Sequence, residues 1–154
     1  MWKPDKNNEA TNEIAAIMDW QFMHEGSPMT DLATLLVNSV SGDVRREAEE
    51  FIIDFYHGLL EKEMKEVGKS CPYTIDQLKE AYNHMYLALV YGLLMFAKLL
   101  KEYFKTDPPR LREAKIDVAI LRCRHAMEDM DRLLSGPMKH LLGYQRGKIS
   151  DESA

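Results

Sequence analysis

Basic residues are outnumbered in this chain, cysteine is scarce, and no apolar run is long enough to cross a bilayer. Each shortage excludes a class of function. Twenty Lys and Arg against 25 Asp and Glu in 154 residues leave a formal charge of −5. An acidic chain lacks the basic footprint that polynucleotides and anionic lipid surfaces require, so neither nucleic acid nor membrane is expected as a partner. The two cysteines, Cys71 and Cys123, match no metal-ligand spacing. They read as free thiols of a reducing compartment, a disulfide between them being the unsupported alternative, and a cytoplasmic protein is expected. The longest apolar run, Met85 to Ala97, has 13 residues, whereas a spanning helix takes about 20. Behind the charges of Met1 to Asn8 there is no apolar segment of the kind a secretory signal needs. Internal repeats and low-complexity blocks are missing too.

What is present is 45% apolar and 29% charged, enough for one globular unit with a sizeable core. Trp2-Lys3 reads as the end of a strand, and the polar cluster Asp5 to Asn12 as a turn. Ile14 to Met18 reads as a second, buried strand, completing a β-hairpin. After Gly26-Ser27-Pro28 everything is helical. Ser27 or Thr30 can cap a helix over about 31–40, which Ser41-Gly42 breaks. A helix over 43–67 follows, with Val44, Ala48, Phe51, Ile52, Phe55, Tyr56, Leu59, Leu60, Met64 and Val67 forming one stripe. Thr74 and Gln77 make a capping box for a helix running to about Lys105, roughly 45 Å long and apolar nearly all round in its middle. Such a helix should be the central pillar. Asp107, as cap, and the two prolines after it stop that helix and start the last one, about 108–134. A short turn is expected near Met138 to Leu142, and 145–154 should be a mobile tail.

The candidate chemistry centres on Asp19. A carboxylate just past a buried strand, followed by a Gly-Ser-Pro loop, can be held at the rim of a cleft as a ligand for a hard divalent cation. On position alone, a strand-end aspartate that caps a turn is the simpler reading. Asp31 is explained by its place in a helix's first turn. His24, His57, His84, His125 and His140 show no zinc-ligand spacing, and Ser27 lacks the surroundings of a hydrolase nucleophile. Tyr82, Tyr86 and Tyr91 lie along the central helix, as core or as the lining of a pocket.

Ile17-Met18-Asp19-Trp20-Gln21, with Gly26-Ser27-Pro28 and Asp31-Leu32 downstream, resembles the CHK kinase-like family. This is the ecdysteroid-kinase-like branch of the choline kinase and aminoglycoside phosphotransferase group, whose fold is related to protein kinases. Arg45-Arg46-Glu47 and Pro72-Tyr73-Thr74 extend the likeness through about residue 105. The resemblance implies a mainly α fold, with residues 1–144 forming the helical carboxyl-terminal lobe of a kinase-like domain behind a small β-hairpin. It implies that Asp19 binds the magnesium bridging the phosphates of ATP, and that the full family phosphorylates a small-molecule hydroxyl. It also implies a His-Gly-Asp catalytic loop and a nucleotide-binding lobe ahead of Trp2, which these residues do not include. No catalytic or nucleotide-binding residue is therefore assigned here, and magnesium or ATP should bind this chain weakly or not at all. Phosphoryl transfer depends on several groups acting together, so the chain alone is expected to be inactive. Two other readings stay open. One is a non-catalytic helical interaction module that self-associates through exposed lobe surface, and the other is an unrelated bundle in which the Asp19 motif is coincidental.

Overall fold

The computed structural model describes residues 1–18, 25–97 and 99–143, and it is mainly α behind an amino-terminal hairpin. Strands β1 (Trp2–Pro4) and β2 (Ala10–Ile14) pair antiparallel, Trp2 opposite Ile14 and Pro4 opposite Ala10. The turn between them is held by Asp5, whose Oδ1 accepts from the Asn7 and Glu9 amides at 2.8 and 2.9 Å. Asn8 closes it at φ 65°, a left-handed conformation that asparagine tolerates. The hairpin is real but differs from the sequence expectation. Its second strand ends where the expected one begins, and it is not buried, with Ile14 63% exposed. Polar links tie it instead. Thr11 Oγ1 donates to the Lys3 carbonyl at 2.7 Å, and Lys3 pairs with Glu13 at 2.9 Å.

Six helices follow among the described residues: α1 (Thr30–Ser39), α2 (Gly42–Glu49), α3 (Ile52–Glu66), α4 (Ile75–Ala97), α5 (Leu100–Tyr103) and α6 (Pro109–Ser135). A 3-10 turn at Lys139–Gly143 closes the fold, near the short turn expected there. The helix expected over 43–67 is two helices, broken at Glu50 and Phe51. The break lets α2 and α3 turn different faces inward. From α2 the buried side chain is that of Arg45, and from α3 it is that of Ile53. Much of the expected stripe points outward, Phe51 and Phe55 each 58% exposed. Ala48, Ile52 and Tyr56 only flank the core.

The core itself is Met29, Ala33, Leu36 and Val37 of the α1 region, Ile53, the α4 row Leu78, Tyr82, Tyr86 and Val90, and Ala126 of α6. The α4 residues recur every four positions, so a single face of that helix packs against α1, α3 and α6. It is the central element. At 23 residues it spans about 35 Å rather than 45 Å. Its start is the capping box expected from the sequence: the Thr74 amide donates to Gln77 Oε1 at 2.9 Å, and the Gln77 amide to Thr74 Oγ1 at 3.2 Å. Neither Ser27 nor Thr30 caps α1. Met29 holds that position, and Ser27 Oγ accepts from the Met29 amide at 3.2 Å. Asp107 does not cap α6 either; its carboxylate receives Lys115 at 2.8 Å. No helix among the described residues is long and apolar enough to cross a membrane. The tail expected at 145–154 lies outside the described residues.

Candidate functional site

Asp19, the one residue assigned to metal binding, lies outside the described residues, as does His24. What surrounds that segment is described. The strand β2 feeds into it, and beyond it the Gly26-Ser27-Pro28 loop leads to α1, where the Thr30 amide donates to the Ser27 carbonyl at 3.1 Å. Asp31 sits in the first turn of α1 with its side chain exposed. There its charge favours the helix dipole.

The three tyrosines of α4 part company. Tyr82 and Tyr86 are buried in the core, while Tyr91 is 68% exposed. Both buried phenols are satisfied, Tyr82 donating to Glu49 Oε1 at 2.6 Å and Tyr86 to the Ala126 carbonyl at 3.1 Å. Burial pushes both phenols well above their ordinary values. They act here as core residues with a polar end.

Around them is a charged cluster that sequence reasoning missed. Arg45 is 1% exposed and pairs with Asp129 of α6. Its guanidinium lies 5.2 Å from the centre of the Tyr86 ring, on the ring face. Arg46 Nε reaches the same carboxylate at 3.0 Å and Arg132 at 2.6 Å, so three guanidinium groups converge on Asp129. The hydrogen bond to Asp129 raises Arg46 above the ordinary arginine value. Glu49 lies 3.5 Å from Arg45 Nε. Burial raises the Glu49 carboxyl above the usual carboxylate range, an effect that the Tyr82 hydrogen bond and Arg45 partly offset. A small cavity of about 260 Å3 opens beside the cluster. The sequence signal of the cluster was slight: Arg45-Arg46 are adjacent on one helix, and Asp129 lies among other charged residues of α6, between Glu128 and Asp131-Arg132. Charge matching joins α2 to α6 here, and the buried carboxylate is fully used by protein donors.

Both cysteines are free. Cys71 is half-buried with Sγ 3.3 Å from the Tyr73 carbonyl, and Cys123 is buried, its thiol raised by desolvation. Among the histidines, His57 Nε2 lies 3.0 Å from the Tyr73 carbonyl and His84 Nδ1 2.9 Å from the Glu80 carbonyl.

A family model described as "Uncharacterized oxidoreductase dhs-27", DUF1679, matches residues 1–135. The chain belongs to the DUF1679 family. A Caenorhabditis elegans protein of that same name, uncharacterized oxidoreductase dhs-27, is 31% identical over 90 residues, covering 57% of this chain. The match covers 11% of that protein, so the chain spans only a small part of the length of its curated relative. No solved structure matches it. DUF1679 membership takes in the hairpin, the Asp19 segment, the Arg45–Asp129 cluster and the whole of α6.

Proposed function

We propose that these residues form the helical carboxyl-terminal lobe of a small-molecule phosphotransferase of the CHK kinase-like type. In it Asp19 is a magnesium ligand, and residues outside this chain supply the catalytic loop and the nucleotide lobe. The observation that carries the reading is the spacing of Asp19 to Gly26, Pro28 and Asp31, set between an antiparallel hairpin and the first turn of α1. A carboxylate so placed is a hard oxygen donor beside a loop, which suits a cation shared with phosphate oxygens. The substrate class is a hydroxyl-bearing small molecule. The word oxidoreductase belongs to the name of a protein of which this chain matches 11%. No two of the 8 glycines here are one residue apart. These residues therefore lack the Gly-x-Gly-x-x-Gly turn on which dinucleotide oxidoreductases commonly rest their pyrophosphate.

Titration of the chain with Mn2+ and ATP, followed by amide NMR, tests the metal assignment. Selective broadening near Asp19 that disappears in Asp19→Asn is expected, and broadening that survives the substitution overturns it. Calorimetry adds a second check. Submicromolar ATP affinity for the 154 residues would contradict a site completed from elsewhere.

A second reading, a non-catalytic interaction module, is favoured by the apolar side chains left outside, including Trp2 and Ile14 on the hairpin and Phe51, Phe55 and Leu59 along one line of α3. Light scattering separates the two. A tight stoichiometric dimer supports a module, and polydisperse association supports a lobe without its complement.

A further inference from the structure

A second cavity, of about 780 Å3, lies between the carboxyl-terminal half of α4, the α5 turn and the amino-terminal half of α6. Its walls are apolar, built from Leu89, Leu93, Phe96, Leu100, Phe104 and Val118. The size falls within the ~300–1,000 Å3 of small-molecule sites. Among the described residues two cations stand at its edge, and they differ. Lys115 is matched, with Nζ 2.8 Å from Asp107 and 5.1 Å from the centre of the Phe104 ring. Arg122 forms no ion pair among the described residues, its Nη1 lies only at 3.4 Å from the Asn38 carbonyl, and its Nε is buried without an acceptor. A buried guanidinium N–H without a partner is a cost that an anionic acceptor removes.

The occupant must then satisfy two conditions. A purely apolar molecule would fill the walls and leave Arg122 unmatched. A small inorganic anion would match Arg122 and leave the walls against water. We propose that this cavity binds a lipophilic monocarboxylate, its chain along α4 and α6 and its carboxylate on the Arg122 guanidinium. Arginine's planar fork suits a carboxylate in two-point contact. The proposal goes beyond the phosphotransfer reading and does not rest on it.

Gly92 supplies the control. It lines the cavity, and a Cβ built on it meets nothing within 4 Å. A side chain at Gly92 therefore starts into open space, and a Gly92→Leu substitution can narrow the cavity, in a helix that favours leucine over glycine. Dodecanoate and dodecanol are the probes, titrated by calorimetry against the full chain. Saturable dodecanoate binding at one site is expected. Arg122→Leu should weaken dodecanoate about tenfold and leave dodecanol unchanged, while Gly92→Leu should abolish both without lowering the thermal midpoint. Absence of saturable dodecanoate binding overturns the proposal. So does an equal response of acid and alcohol to Arg122→Leu, or full binding by Gly92→Leu. A dimer seen by sedimentation that saturating dodecanoate leaves intact, and that Gly92→Leu breaks, would put a second copy in the cavity and overturn it as well. The Mn2+ experiment reads Asp19 and this one reads Arg122 and Gly92, so the two readings fail separately.

Discussion

Asp129 receives Arg45, Arg46 and Arg132 together, and removing it would strand the Arg45 guanidinium in the core. Asp129→Ala should cost about 3 kcal/mol, the low end for breaking a buried pair, because Arg46 and Arg132 can turn to water. A lowered urea midpoint at unchanged slope measures it. The double substitution Arg45→Met with Asp129→Leu should cost less than Asp129→Ala alone, because it leaves no unpaired charge behind. Glu49 gives a pH signature. Its folded value lies above the ordinary 4.5, so folding favours the protonated form. That contribution is full below pH 4.5 and is lost as pH rises through the folded value. Glu49→Gln keeps an oxygen for the Tyr82 hydroxyl and has no such loss. The stability of the parent relative to Glu49→Gln should thus be lower at neutral pH than at pH 4.5. A difference that stays constant in urea titrations at the two values would contradict burial as the cause. None of this could be read from the sequence, where Arg45 and Asp129 are 84 positions apart and ordinary charged residues of two helices.

At the scale of elements, what the sequence made legible was local. The Thr74/Gln77 box and the proline start of α6 depend on residues within four positions of one another, and each is where its residues say; the turn after Pro4 starts at Asp5 as expected but gives way to β2 at Ala10, short of the expected Asn12. The orientation of α2 and α3 was not legible. The 43–67 segment carries two apolar lines, one through Phe51, Phe55 and Leu59 and one through Ile53, and periodicity does not say which meets the core. The outcome follows from Arg45 reaching Asp129. Gly42, expected as a helix breaker, opens α2 instead. A Cβ there would stand 2.5 Å from His125 Cβ and Nδ1 of α6. Gly42→Ala should therefore destabilise by about 1–3 kcal/mol through overpacking. Gly58, inside α3 with nothing within 4 Å of a built Cβ, has no such neighbour, and Gly58→Ala should stabilise by about 0.5–1 kcal/mol. Opposite shifts of the two thermal midpoints check both.

For the molecule as a whole, the mainly α architecture and the central place of one apolar helix were both visible in advance, but the helix is packed on one face rather than surrounded as its all-round apolar character suggested. The candidate metal residue was visible only as a spacing pattern, and its segment lies outside the described residues. The apolar cavity was not visible at all, since its walls come from three helices and no motif links them. The two halves of α4 nevertheless live in different surroundings. Leu78, Tyr82, Tyr86 and Val90 are sealed between α1, α3 and α6, whereas Tyr91, Met95 and Phe96 are exposed. One unbroken helix should then show two rates of amide hydrogen exchange. From Leu78 to Val90 exchange should wait for global unfolding, and from Tyr91 to Ala97 it should proceed through local fraying. Uniform protection along α4 would contradict this. The step between the two rates, near Val90, marks where the rigid part of the molecule ends and where a molecule entering between α4 and α6 would find backbone still free to be ordered.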